Sequence, residues 1–170
     1  MKCLLVLVPA VTARLARVPP GFDLVFTLAL AGEAIVSGLT GHGWIEWPDE
    51  ASHLVIPLLS APVVYHVLVR LSATSPPAAA TGPRAYVGAG IVTSAGVLAL
   101  GALWELVEWG ADRGLGTDYS QGYEDTLSDL RADALAAALG GVLVAAWLRR
   151  QRKRAERSAA TPQLNYQEAA

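Results

Sequence analysis

The chain has 170 residues, of which 53% are hydrophobic and only 16% are charged, and its formal net charge is −2. Soluble domains carry about 25% charged residues, so this composition argues against a soluble protein and indicates one integral membrane domain. A soluble bundle would need four long helices without a polar face, which the hydropathy pattern disfavours. The one cysteine, Cys3, excludes an intramolecular disulfide.

Residues 1–21 are predicted to form a short interfacial helix on the cytoplasmic side of the membrane. The apolar run at residues 3–8 is too short to span a bilayer. A short apolar segment followed by basic residues is typical of a helix that lies in the membrane interface. Pro19-Pro20-Gly21 ends this segment.

Four apolar segments follow, each long enough to cross a bilayer as a helix of about 20 residues. We predict spans at about residues 22–40, 51–71, 85–109 and 125–148. Pro57 and Pro62 should kink the second span. The predicted fold class is therefore all-α, with a bundle of four transmembrane helices over residues 22–148. A basic tail at residues 149–170 follows, and we predict that it is disordered.

Basic residues indicate the orientation of these spans. They fall on one side of the four-span arrangement: Lys2, Arg14, Arg17, Arg70, Arg84 and the cluster at residues 149–154. The positive-inside rule places both termini in the cytoplasm. The predicted partners are the lipid bilayer and, at the basic cluster, anionic lipid headgroups. Because that cluster is short and lies against the membrane, we predict no nucleic-acid partner.

Ionisable residues recur at the three helix ends that this topology places outside the cell. Asp49 and His53 are four residues apart at the start of the second span. Glu105 and Glu108 are three residues apart near the end of the third. The fourth span begins with an acid at every fourth position: Asp125, Asp129 and Asp133. Residues at these spacings share one face of a helix.

Counting residues along the helices predicts that the acids lie at similar depths. At 1.5 Å per residue, Glu33, Glu105 and Asp133 each lie ~10 to 12 Å below the outer end of a span. Ionisable side chains inside a membrane are costly and usually functional. We therefore expect the acids of several helices to converge on one outward-facing pocket.

Several of these residues also fit simpler structural roles. Asp125 and Asp129 fit the acidic first turn of a helix, where the dipole favours them. Glu33 could be protonated and hydrogen-bonded between helices. The two glutamates of the third span lie at a helix C-terminus, where the dipole disfavours acids. Either these glutamates are protonated or a positive group offsets them, and the candidates for that group are a metal ion, His53 and Arg131.

The ionisable residues form three motifs along the second to fourth spans. They are Asp49-x3-His53, Glu105-x2-Glu108-Trp109 and Gly122-x2-Asp125-Thr126-x2-Asp129-Leu130-x2-Asp133. Together these motifs resemble the YjdF-like family of bacterial inner-membrane proteins. The resemblance implies a small multi-pass protein of the bacterial cytoplasmic membrane. Because no activity is established for that family, the resemblance supplies no mechanism.

Our leading interpretation is a site for a divalent metal ion, Mn, Zn, Mg or Ca. Carboxylates on facing helices can build a cage of oxygen ligands, and a histidine suits a transition metal. The predicted ligands are Asp49, His53, Glu105, Glu108, Asp125, Asp129 and Asp133. Asp49 would orient the ring of His53. A bound ion could activate water against a lipid-linked substrate, although the sequence assigns no catalytic residue.

Two other classes of function stay open. The first is a proton- or ion-coupled transporter with Glu33 on its path. With four spans and no visible inverted repeat, such a transporter would have to be a homodimer. The second is a structural or accessory membrane subunit, whose acids would pair with Arg113 and Arg131.

Overall fold

The structure is a computed structural model that describes residues 11–15, 17–40, 49–117, 119 and 122–160, without the side chains of residues 36–40 and 160. Within these residues every regular element is a helix, which confirms the predicted all-α fold. The four long helices are α1 (Pro20–Thr40), α2 (Asp49–Arg70), α3 (Gly82–Leu115) and α4 (Tyr123–Ala160). A short helical segment at residues 11–15 precedes them.

Three helices, rather than the four predicted, are long and apolar enough to cross a membrane among the described residues. They are α2, α3 and α4, judged by length and composition. Helix α1 forms where we predict the first span. Its described side chains cover only residues 20–35, which is shorter than the roughly 20 residues that a span needs.

Helix α4 runs beyond the predicted fourth span and continues through the basic cluster to Ala160. Arginine and alanine make up eight of the twelve residues from 149 to 160, and both are strong helix formers. The Nε of Arg152 donates a hydrogen bond of 2.8 Å to Glu156 Oε1, one turn later. The predicted disorder of the tail therefore applies at most to residues 161–170, which lie outside the described residues.

The helices expose many large apolar side chains and bury several ionisable ones, which is unusual for a soluble bundle. Several large aliphatic side chains are more than half exposed: Leu28, Ile91, Leu103, Leu135 and Val142. The buried residues include one histidine and four acids. In water, this arrangement would leave a large apolar surface without cover. In a bilayer, lipid tails cover that surface, so the burial pattern supports a membrane environment.

Small residues allow α4 to pack closely against both α2 and α3. A Cβ added to Gly141 would lie 2.5 Å from the carbonyl oxygen of Gly90 on α3. A Cβ added to Gly140 would lie 2.6 Å from the Cβ of Ala61 on α2. The two neighbouring glycines thus face two different helices, which makes α4 the central helix of the bundle.

Gly141→Ala is expected to destabilise this packing. The new methyl group would overlap Ser94 Oγ and press on the backbone of Gly90. Overpacking of this kind costs about 1–3 kcal/mol, which should lower the midpoint of thermal unfolding in detergent. Gly88→Ala on α3 is the control, because nothing lies within 4 Å of its added Cβ. Equal midpoints for the two variants would contradict the close contact.

Aromatic side chains hold the bundle together near Arg70, at the opposite end of α2 from Asp49. The ring of Trp147 on α4 lies edge-on to those of Phe22 on α1 and Tyr65 on α2, with centroids 6.0 Å apart in both pairs. The Tyr65 hydroxyl donates a 2.9 Å hydrogen bond to the carbonyl oxygen of Ser75. This cluster fixes the start of α1 against the other helices.

Candidate functional site

A buried histidine lies among carboxylates from two other helices. His53, in the second turn of α2, is only 7% exposed. Its Nδ1 lies 3.3 Å from Asp133 Oδ1, within hydrogen-bonding distance. Its Nε2 lies 3.7 Å from Glu105 Oε1 and 3.9 Å from Asp129 Oδ2. The imidazole therefore faces acids at both ring nitrogens.

Helical spacing and one glycine bring these side chains together. Asp129 and Asp133 are one turn apart on α4, so both face inward. On α3, Gly101 lies one turn before Glu105, on the same face. A Cβ at Gly101 would overlap the Asp133 carboxylate. The missing side chain of this glycine thus makes the space in which Asp133 reaches His53.

The acids around His53 are almost completely buried. Glu105, Asp129 and Asp133 are 6%, 1% and 0% exposed. Four of their oxygens have no hydrogen-bond partner among the described residues: Glu105 Oε1, Asp129 Oδ1, Asp129 Oδ2 and Asp133 Oδ2. A buried ionised carboxylate without a partner costs several kcal/mol. His53 can supply at most one positive charge, so protons or a cation must offset the remaining charge.

The two arginines that could have paired with these acids point elsewhere. Arg131 is exposed. It follows Asp129 by two residues, which on an α-helix places its side chain about 200° around the axis from Asp129. The Arg113 guanidinium lies over the Trp109 ring, 5.7 Å from its centroid. In the part of the chain that the structure describes, no ion pair joins either arginine to an acid.

Five of the seven predicted ligands form this group. Asp49, His53 and Asp129 each place one potential ligand atom within 4.8 Å of the others, and Glu105 and Asp133 complete the group. The remaining two flank it by about one turn: Glu108 is buried beyond Glu105, and Asp125 is partly buried before Asp129. Helix capping alone does not explain Asp129, because it is buried against His53.

Two details of the site differ from the sequence-based expectations. Asp133, rather than the predicted Asp49, contacts Nδ1 of His53 and is placed to orient its ring. Glu33 accepts a 2.7 Å hydrogen bond from Ser52 Oγ, which joins α1 to α2. This bond agrees with the interhelical alternative for Glu33.

Sequence reasoning missed Gly101 and Ser52 as parts of the site. A readable signal exists for Gly101, because it lies four residues before Glu105 and therefore on the same helix face. Ser52 directly precedes His53. The rotation of α2 within the bundle determines which neighbouring helix the side chain of Ser52 faces. No local pattern reports that rotation.

A partly open cavity of about 680 Å³ reaches this group of side chains. It lies between α1, α2 and α3, and its lining is mainly aliphatic. Polar side chains line it at the end near the acids: Glu33, Ser52, His53 and Asp133. The buried site is therefore accessible from an apolar cavity within the helical bundle.

Comparison with known proteins places the chain in a family. The family model described as "Predicted membrane protein (DUF2238)" matches residues 1–154, which include all the site residues named above. No curated protein and no solved structure matches the chain. The match confirms the predicted membership of a membrane-protein family, although it does not carry the name YjdF-like. The chain belongs to the DUF2238 family of predicted membrane proteins.

Proposed function

We propose that this protein binds a divalent cation through Asp49, His53 and Asp129, whose ligand atoms lie within 4.8 Å of one another, with Glu105 beside His53 as a fourth ligand. The observation that supports this most directly is a set of four carboxylate oxygens around one buried histidine that accept no hydrogen bond from the described residues. A cation would supply the missing partners and offset the negative charge. Glu108 and Asp125 each lie about one helical turn from a proposed ligand, on α3 and α4.

The distances around Nε2 of His53 suit a shared ion. With metal–ligand bonds of about 2.0–2.2 Å, two ligand atoms of one ion lie roughly 3.4 Å apart in tetrahedral geometry and at most ~4.4 Å apart. The observed separations from Nε2, 3.7 Å and 3.9 Å, fall in this range. Among Mn, Zn, Mg and Ca, the mixed nitrogen and oxygen ligands favour Mn and Zn, since Mg and Ca prefer oxygen alone.

Asp133 has a different role in this proposal. A histidine that binds a metal through one nitrogen usually donates its other N–H to a carboxylate, which fixes the orientation of the ring. Asp133 occupies that position, 3.3 Å from Nδ1. A cation held in this way could activate water for metal-dependent chemistry on a lipid-linked substrate.

The membrane topology that accompanies this proposal has four spans, with α1 as the first. The protein lies in a bacterial inner membrane with both termini in the cytoplasm. The basic residues gather on one side of the four spans, and the positive-inside rule assigns that side to the cytoplasm. The basic residues of α4 beyond Leu148 contact anionic lipid headgroups. The cation site then faces the cell exterior or periplasm.

The structure gives less support to the alternative of a homodimeric transporter. A transporter needs a polar route across the bilayer. Beyond the acids, the cavity is lined by Val63, Val64, Val67 and Leu68. An apolar lining of this kind offers no relay for protons or ions. The ligands proposed for the cation also come from a single chain.

Metal analysis of the detergent-purified protein tests the proposal. The parent protein should retain close to one equivalent of Mn or Zn, measured by mass spectrometry after reloading and dialysis. Glu105→Gln combined with Asp129→Asn should reduce this at least tenfold, because both substitutions remove a charged ligand. Glu124→Gln, an exposed acid in the first turn of α4, is the matched control and should retain the metal. A parent protein that binds none of Mn, Zn, Mg or Ca would refute the cation site.

A further inference from the structure

The cavity that reaches the acids has a long and mainly aliphatic lining, and its ionisable side chains lie at one end. On α2 its lining extends from Ser52 to Leu68. At 1.5 Å per residue this corresponds to ~24 Å, most of the roughly 30 Å thickness of the hydrocarbon core of a bilayer. The cavity therefore extends along the membrane-spanning part of the bundle and ends at His53 and Asp133.

The helix packing leaves this cavity partly open. Helix α1 packs mainly against α2, whereas α3 packs against α2 and α4. Phe26 and Leu30 of α1 line one wall, and Leu100 and Trp104 of α3 line another. Among the described residues, a gap between α1 and α3 leaves the cavity partly open, and a gap between two spans faces the hydrocarbon of the bilayer. Water would find few polar partners along its length, and a stable buried water needs two to four.

We propose that this cavity binds one hydrocarbon chain of a membrane lipid, with the lipid headgroup next to His53 and Asp133. The bilayer supplies such chains directly through the gap between α1 and α3. The headgroup that suits this end is a phosphate, and this part of the inference rests on the proposed cation. The carboxylates alone would repel a phosphate, whereas a divalent cation held by them would bind it.

The cavity volume favours a single chain over a helix from a second copy of the protein. A helix with its side chains is about 10 Å wide, so a 24 Å length would fill roughly 1,900 Å³, far more than the 680 Å³ present. A hydrocarbon chain is about 4–5 Å wide by van der Waals contact distances and would fill roughly 300–500 Å³ over the same length. The cavity therefore accommodates a lipid chain and is too narrow for a helix.

Photolabelling tests this proposal on the full-length protein in detergent. The probe is a phosphatidic acid that carries a photoactivatable diazirine in one acyl chain, added in the presence of saturating Mn²⁺. The parent protein should be labelled saturably, with about one probe per chain. Leu100→Trp, which fills the cavity, should reduce saturable labelling at least fivefold. Leu106→Trp is the control, because this exposed side chain lies on the same helix but outside the cavity lining.

The outcomes separate the lipid proposal from the cation proposal. Equal labelling of the parent and Leu100→Trp would overturn the cavity as a lipid site. Absent labelling of the parent would also overturn it, and a disulfide between two chains that carry Leu100→Cys and Cys3→Ser would then assign the cavity to a second copy. If Leu100→Trp does not fold, Leu103→Trp replaces it, since Leu103 also lines the cavity.

A second probe tests the position of the headgroup. A long-chain alcohol with the same diazirine lacks the phosphate. With Mn²⁺ present, the phosphatidic acid should label the parent at least tenfold better than the alcohol, and Asp129→Asn should abolish that preference. Equal labelling by both probes would overturn the headgroup assignment. Metal content is measured on the same samples, so labelling that depends on Leu100 without bound metal would support the chain site and refute the cation site.

Discussion

In excess EDTA, the Asp129→Asn variant is expected to be more stable to heat than the parent protein, and in saturating Mn²⁺ or Zn²⁺ it is expected to be less stable. Asp129 is 1% exposed, and neither of its carboxylate oxygens has a hydrogen-bond partner among the described residues. Without a cation, the neutral amide removes a buried charge that His53, 3.9 Å away, must share with Glu105 and Asp133, and burying an ion costs several kcal/mol. With a cation, the parent protein alone gains binding energy.

The size of the metal effect follows from mass action. A ligand that binds only the folded state at 100 to 1,000 times its dissociation constant adds about 2.7 to 4.1 kcal/mol of stability. Only the parent protein gains this stability through Asp129, so with metal present the order of the two midpoints should reverse. Midpoints of thermal unfolding in detergent, recorded with and without metal, check this. Glu124→Gln, which changes an exposed acid on the same helix, should respond to metal as the parent does.

The same measurement distinguishes the three interpretations of the acid group. If the acids served only as ion-pair partners of His53, Asp129→Asn would be the less stable protein in both conditions. If protons alone offset the acids, metal would leave every midpoint unchanged. Only a cation that contacts Asp129 makes the sign of the difference depend on metal. An unchanged order of midpoints would therefore contradict our proposal even if some metal binds elsewhere.

The sequence predicts the composition of the site well because its signals are local to each helix. The four-residue spacing of Asp129 and Asp133 fixes their common face, whatever α4 packs against. Counting depth along the helices then places Glu105 and Asp133 at similar levels. The structure brings both side chains to His53. The exposed position of Arg131 is also readable from the sequence, since it lies half a turn away from the acids on the same helix.

The sequence does not predict how the helices are rotated and spaced relative to one another. The rotation of α2 against α4 determines which acid contacts each nitrogen of His53. The structure places Asp133 at Nδ1, whereas the spacing along the sequence suggests Asp49. The cavity depends on the gap between α1 and α3. The continuation of α4 past Leu148 reflects helix propensity beyond the apolar segment, whereas hydropathy marks only the part of the helix within the bilayer.

Gly101→Ala is expected to lower metal affinity although glycine has no side chain with which to bind metal. The new Cβ would overlap the Asp133 carboxylate, which would have to move away from Nδ1 of His53. Loss of a carboxylate that orients a metal-binding histidine typically costs 10- to 100-fold in affinity. We expect a decrease of that order, measured by competition with a chelator of known affinity for Zn²⁺. The nearby carboxylates of Glu105 and Asp129 keep their own positions on α3 and α4.

Gly110→Ala on the same helix is the matched control for this substitution, because nothing lies within 4 Å of its added Cβ. Alanine is favoured over glycine within a helix by about 1 kcal/mol, so this variant should bind metal normally and be slightly more stable. Unchanged metal affinity in Gly101→Ala would show that the position of Asp133 does not matter to the site. The orienting role of Asp133 would then be wrong, while His53, Glu105 and Asp129 could still hold the ion. If Gly101→Ala lowers the metal affinity and Gly110→Ala does not, then metal binding depends on the contact between Asp133 and His53, which links α4 to α2.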